Sequence, residues 1–123
     1  MRFDSPTFFR GDRHDTLFPD PRLVLRSLSR RLATVAPDAA AEADMALQEI
    51  DAHVWPARYE LGTQVLRVED IAVPGFMGDV SYRVARSAPS EVRRWCAVLA
   101  AAAKFTGVGA KVAWGFGQCR QTR

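Results

Sequence analysis

The chain has 123 residues, of which 48% are hydrophobic and 25% charged, and its 17 Lys and Arg against 14 Asp and Glu leave a formal net charge of +3. One sizeable core fits within that length without disulfides or a structural metal, and the mildly basic balance permits a polyanionic partner without demanding one. No apolar run reaches the roughly 18–20 residues of a membrane-spanning helix, so no such helix is expected.

Arg2 to Phe9 reads as a first strand, with Pro6 suited to an edge or a bulge. A polar, aperiodic loop follows over Gly11 to Asp15, and Pro19-Asp20-Pro21 then prepares a helix with Asp20 as cap and Pro21 in its first turn. Leu25, Leu28, Leu32 and Val35 recur at helical spacing and predict a core-facing stripe, while Arg22, Arg26 and Arg30 repeat on a neighbouring face. Pro37 ends that helix, and the alanine-rich, acidic stretch from Asp38 to Ala52 predicts a second short helix or a helical connection. Val54 to Val68 has strand chemistry, and Pro74-Gly75 predicts a turn. A third strand is expected from Phe76 to Arg86, where Val80, Tyr82 and Val84 alternate with Ser81, Arg83 and Ala85. The last helix starts near Pro89, carries Val92, Trp95, Cys96, Leu99, Ala102 and Ala103 at helical spacing, and meets Gly107 where a left-handed cap is needed. A final strand is expected over Lys111 to Phe116, with Val112, Trp114 and Phe116 on one face. The order β-α-β-β-α-β, with one extra helical piece, is the ferredoxin-like α+β arrangement: an antiparallel sheet with helices on one face. Residues 1–123 show no internal repeat, linker or low-complexity tract, so one domain is expected.

Cys96 and Cys119 have no neighbours at metal-ligand spacing, so no metal site is expected and free thiols point to a reducing cytoplasm. Only Lys104 and Lys111 are lysines; the other fifteen basic residues are arginines. Arginine's planar fork suits phosphates and stacked bases, though a high-GC coding sequence produces the same bias.

The most specific feature is Gly107-Val108-Gly109-Ala110-Lys111-Val112-Ala113-Trp114-Gly115-Phe116-Gly117. Two Gly-apolar-Gly elements flank five residues that include a lysine. The glycines allow positive φ and are expected to leave backbone N–H groups uncovered for phosphate or base contact. A dinucleotide fingerprint is excluded, because Val112 stands where its third glycine belongs and the segment follows a helix rather than opening one. A P-loop is excluded because Lys111 follows Ala110 and precedes Val112. The competing structural reading is a helix cap followed by a tightly packed strand.

This glycine-rich pattern resembles the C-terminal signature of the repeat-associated RNA-binding (RAMP) superfamily of CRISPR systems. More narrowly, the chain is similar to the C-terminal half of the endoribonucleases that cut precursor CRISPR transcripts. The resemblance is carried by Ser5-Pro6-Thr7-Phe8, by Leu17-Phe18-Pro19-Asp20-Pro21 with Leu25-Arg26-Ser27-Leu28, and by Phe76-Met77-Gly78-Asp79-Val80-Ser81-Tyr82-Arg83. It continues through Phe105-Thr106-Gly107-Val108-Gly109 and Gly115-Phe116-Gly117-Gln118, and is weakest from Asp38 to Val54.

The resemblance implies two ferredoxin-like domains in full-length members, cleavage without metal or other cofactor through attack of a 2′-hydroxyl, and a catalytic histidine in the first domain. This chain starts at the second, so the expectation is an RNA-gripping half whose partners are CRISPR repeat RNA, a separate N-terminal half or other CRISPR-associated subunits, and a second copy of itself. Gly107, Gly109, Lys111, Gly115, Gly117, Arg83 and Arg120 are the expected RNA-binding residues. Arg86 and Arg123 are further basic candidates, and Trp55, Trp95 and Trp114 sit at core-periodic positions. Two rival readings remain open: a non-catalytic guide-binding subunit of an effector complex, and a compact nuclease using His14. Histidine suits acid–base chemistry near neutral pH, and Asp12, Arg13 and Asp15 flank His14, although a solvated loop explains the same residues. His53, just before the second strand, reads as structural.

Overall fold

The computed structural model describes residues 1–122, so the Arg123 candidate lies outside the described residues. Strand β1 (Arg2–Thr7) leads to helices α1 (Pro21–Leu32) and α2 (Pro37–Ala46), then a 3-10 turn at Ile50–Ala52. A long hairpin of β2 (Val54–Val68) and β3 (Ile71–Val84), helix α3 (Ser90–Thr106) and the short β4 (Cys119–Arg120) complete the chain. The strands lie in the order β2-β3-β1-β4 with every neighbouring pair antiparallel. This is the expected α+β, ferredoxin-like arrangement. No helix among the described residues is long and apolar enough to cross a membrane.

Phe3, Phe76 and Val80 point from the sheet into a core completed by Val24, Leu25, Leu28, Ile50, Trp95 and Leu99. Phe3 meets Phe76 edge-on at 4.9 Å between ring centroids, an arrangement the aromatic quadrupole favours. Helix α1 starts as its sequence dictates: Asp20 accepts the Arg22 N–H at 2.9 Å and Pro21 opens the first turn. The buried Tyr82 hydroxyl donates to the Pro19 carbonyl at 2.6 Å and ties β3 to that helix start. The β1–β3 register slips between Phe3 and Thr7, which places Pro6 at an irregularity, as its chemistry predicts.

Four expectations are corrected. Pro74-Gly75 is not a turn: both residues are strand, and the chain reverses at Glu69-Asp70, with φ of 49° and 68°. Pro74 pairs with Val65 of β2 on one side, but β1 ends level with Phe76, so on its other side no strand is left to miss its absent N–H. Lys111 to Phe116 is not a strand: Val112–Trp114 forms a single 3-10 turn, and the last strand is Cys119–Arg120. Lys111 and Gly115 bracket that turn in left-handed conformations, which no strand accommodates. Val35 leaves the core stripe because α1 stops at Leu32, and it is 80% exposed. Of the three tryptophans only Trp95 is in the core; Trp55 lies on the open sheet edge and Trp114 on the glycine-rich turn, both exposed.

Candidate nucleic-acid interface

The segment after α3 folds back on the end of β1 as a hydrogen-bonded loop. Gly107 caps α3 at φ 69° and donates to Ala103. The Val108 N–H donates to Gly117 O at 2.9 Å, Ala110 N–H to Phe8 O at 3.0 Å, and Gly117 N–H to Pro6 O at 3.0 Å. Phe116 is fully buried and meets Phe8 edge-on at 5.5 Å. Helix α1 grips the Gly109 residue from both sides: Ser27 Oγ accepts its N–H at 2.8 Å, and Arg31 donates to its carbonyl at 2.6 Å. Ser27 and Arg31 are four residues apart, hence on one helix face.

These bonds correct one expectation. The amides of Gly107, Gly109, Gly115 and Gly117 all donate within the chain, so none is left uncovered for a ligand. Gly117 is required by packing, since a side chain there would land on the Val108 carbonyl oxygen. Gly115 differs: at φ 97° its nearest obstruction is Leu66 Cδ2 at 4.0 Å, so only backbone conformation selects glycine. What the loop presents outward is the Lys111–Trp114 turn. Trp114 is 51% exposed, and the Lys111 ammonium sits 5.7 Å from its ring centroid.

The remaining candidates disperse. Arg120 is ion-paired with Asp4 at 3.0 Å, and Asp4 also meets Arg2, which in turn reaches Asp79 at 2.6 Å. Around β1 and β4 the face of the sheet away from the helices therefore carries matched charges rather than a basic field. Arg83 is exposed opposite Trp55, seven residues along β3 from Phe76, which is level with the loop. At the rise of an extended strand that separation is roughly 23 Å. Arg86 follows the end of β3 and is likewise remote. Of the arginine row on α1, Arg22 is paired with Asp51 at 2.7 Å, and Arg26 shares a cleft with Asp44. Only Arg30 opens beside Gly109.

His14 lies exposed at the tip of a loop closed by the Phe9–Thr16 bridge. Among the described residues no side-chain hydrogen bond or ion pair involves Arg10, Asp12, Arg13, His14 or Asp15, so nothing orients the imidazole for acid–base work. His53 is packed at the start of β2, its Nδ1 buried without a partner. Cys96 and Cys119 are free thiols whose pKa burial raises, Cys119 to about 12, so neither is poised as a nucleophile. No cluster among the described residues could hold a metal ion.

Sequence reasoning missed Arg31. Its guanidinium is partly buried, and burial pulls its pKa below the ordinary value, with Arg30 acting in the same direction. Nothing local distinguishes Arg31 from Arg30; only the return of residue 109 to α1 does.

A family model described as CRISPR-associated endoribonuclease Cas6 matches residues 1–119. The CRISPR-associated endoribonuclease Cas6 of Streptococcus thermophilus is 24% identical over 94% of this chain and 46% of its own length. That of Mycobacterium tuberculosis is 25% identical over 98% of this chain and 37% of its own. Among solved structures, a Cas6 product complex is 36% identical with a TM-score of 0.81, over 99% of this chain and 50% of that one. Thermus thermophilus Cas6 is 29% identical with a TM-score of 0.83, over 95% and 50%. The chain thus spans half or less of the length of these relatives.

Proposed function

The chain belongs to the family of CRISPR-associated endoribonucleases Cas6, and on that premise we propose that it acts as one RNA-binding domain of an enzyme that cuts precursor CRISPR RNA at its repeats. The observation that carries the reading is the Lys111–Trp114 turn. It pairs an exposed aromatic ring with an ammonium on a loop whose backbone is hydrogen-bonded to both β1 and α1. A base stacks on such a ring while the ammonium meets the neighbouring phosphate, and a preorganised loop loses little entropy on binding. The similar Cas6 structures include a product complex and a substrate-mimic complex, which supports RNA as the ligand of this chain.

In this reading the work takes place in the cytoplasm, and the partners are repeat RNA, a ferredoxin-like half that supplies a catalytic histidine, and a second copy of the chain. Cleavage by the assembled enzyme proceeds without metal, by attack of a 2′-hydroxyl on the adjacent phosphate. Lys111, Trp114 and the surrounding glycine-rich loop hold the strand; Arg83 and Arg120 contribute at the periphery. The guide-coating reading is less favoured because the matched relatives are endoribonucleases. The His14 reading is less favoured because no group among the described residues orients that ring.

End-labelled repeat RNA incubated with the chain in EDTA, run on native and denaturing gels, tests this. The expected result is a shifted band without cleavage, weakened about tenfold or more by Trp114→Ala, the scale of one lost base stack. No shift at micromolar protein would overturn the reading, and cutting at one site would move the active centre into this chain.

A further inference from the structure

Beside the glycine-rich loop, on its α1 flank, is an open cleft of about 340 Å³ whose lining includes neither Lys111 nor Trp114. Arg10, Arg30 and Arg31 converge on it, with Ser27, Gly109 and Ala110 forming part of its wall and no Asp or Glu in the lining. Elsewhere Arg2, Arg22, Arg94 and Arg120 each meet a carboxylate, and the arginines that meet none among the described residues do not share a cleft with two others. Among the described residues, none of the three cleft arginines meets a carboxylate. Arg31 is held by its bond to the Gly109 carbonyl, while its Nε is buried without a partner. Like charges gathered without counter-charge repel one another, and an anion that enters relieves that repulsion. Guanidinium forks match phosphate oxygens in geometry as well as charge.

We propose that this cleft is a phosphate-binding site that takes one phosphate group of the RNA strand held by the neighbouring Lys111–Trp114 turn. It rests on the RNA-binding reading above and adds to it a second point of attachment, in a cleft that shares Gly109 and Ala110 with the loop but not the stacking ring. Arg31 is the fixed wall, because the Gly109 carbonyl already orients it. Arg10 and Arg30 are exposed side chains that close on the anion. The site reads no base, so it fixes the register of the strand without contributing sequence preference.

The test has two arms on the full chain. In the first, inorganic phosphate is titrated into 15N-labelled protein at low salt while the Gly109 and Ala110 amides and the arginine Nε–H signals are followed. Saturable shifts are expected in the wild type and their loss in Arg10→Ala/Arg30→Ala. Both side chains are exposed and unpaired, so the double variant should fold, and Arg30→Glu provides a second variant with the same expected loss. Absence of shifts, or shifts retained in both variants, overturns the site whether or not RNA binds.

In the second arm, repeat-RNA affinity is measured by fluorescence anisotropy over a salt series. The double variant is expected to bind about tenfold more weakly, with the slope of log K against log salt shallower by about 0.7, the value for one phosphate contact on a single strand. Lys111→Ala/Trp114→Ala is expected to lose RNA affinity yet keep the phosphate shifts. RNAs with and without a terminal phosphate separate the two sources: equal loss on both assigns an internal phosphodiester, and loss confined to the phosphorylated RNA assigns a chain end. Phosphate shifts with no RNA binding by the wild type would overturn RNA as the occupant, and an unchanged salt slope would overturn the contact itself.

Discussion

Individual residues in the glycine-rich loop answer to two different constraints. Gly117 sits against the Val108 carbonyl at φ 72°, whereas Gly115 has open space around its Cα at φ 97°. Replacing Gly117 by alanine is therefore expected to cost about 3 kcal/mol or more, from backbone strain plus displacement of the loop, and Gly115→Ala only about 1 kcal/mol from strain alone. Urea unfolding of the two variants checks the order; equal losses would show that the loop yields at both positions. RNA affinity should follow the same order, because the Lys111–Trp114 turn is positioned by the bonds that Gly117 makes possible. That glycines mattered here was legible in the sequence. Which of them answered to packing was not, because the Val108 and Pro6 carbonyls that crowd or bond Gly117 are set by the fold of the loop and by β1, 111 residues away in the case of Pro6.

At the scale of elements, the helices follow their local signals closely and the hairpin does not. Asp20-Pro21 and Gly107 mark helix ends because caps act over a turn or two. The β2–β3 reversal uses Glu69-Asp70, two residues in left-handed conformations between the paired Val68 and Ile71. Two-residue loops of this kind favour Asn-Gly, so Glu-Asp gives almost no sequence signal, and Pro74-Gly75 gives a false one. Glu69→Asn with Asp70→Gly is expected to stabilise the chain by about 1 kcal/mol, by relieving two positive-φ residues that carry Cβ atoms. A raised urea midpoint with unchanged slope would bear this out; a lowered midpoint would mean that the carboxylates make contacts that matter more than the strain. The same misreading of reversal affects Lys111–Phe116, where apolar alternation suggested a strand and positive φ at Lys111 and Gly115 made a turn.

The whole molecule couples its core to alkaline pH. Burial pushes the Cys119 thiol up to about 12 from 9.0, raises Cys96 as well, and raises Tyr82 above its usual 10.0. Each group keeps its proton longer in the folded chain than in the unfolded one, so folding binds more protons above pH 9, and the stability present below that pH declines as pH rises towards 12. The Met1 ammonium, lowered by burial while donating to Val80 O at 2.6 Å, acts with the opposite sign around pH 8. Unfolding free energy is therefore expected to hold or rise slightly to about pH 8.5, then fall by on the order of 1 kcal/mol per unit. Cys119→Ala should flatten the decline, and a wild-type profile level to about pH 11 would refute the coupling. By itself the sequence determined the order of elements, the helix caps, one core-forming helix stripe and the glycine-rich pattern that carries the family resemblance, since these depend on neighbours within a few residues. Only the tertiary structure decided which charges remain uncompensated. Arg120 is neutralised by Asp4 across 116 residues of chain, Arg83 is carried to the far end of β3, and Arg31 is brought to Gly109 across 78. Charge pairing depends on distance in space, and strand register and loop return, rather than local propensity, set that distance.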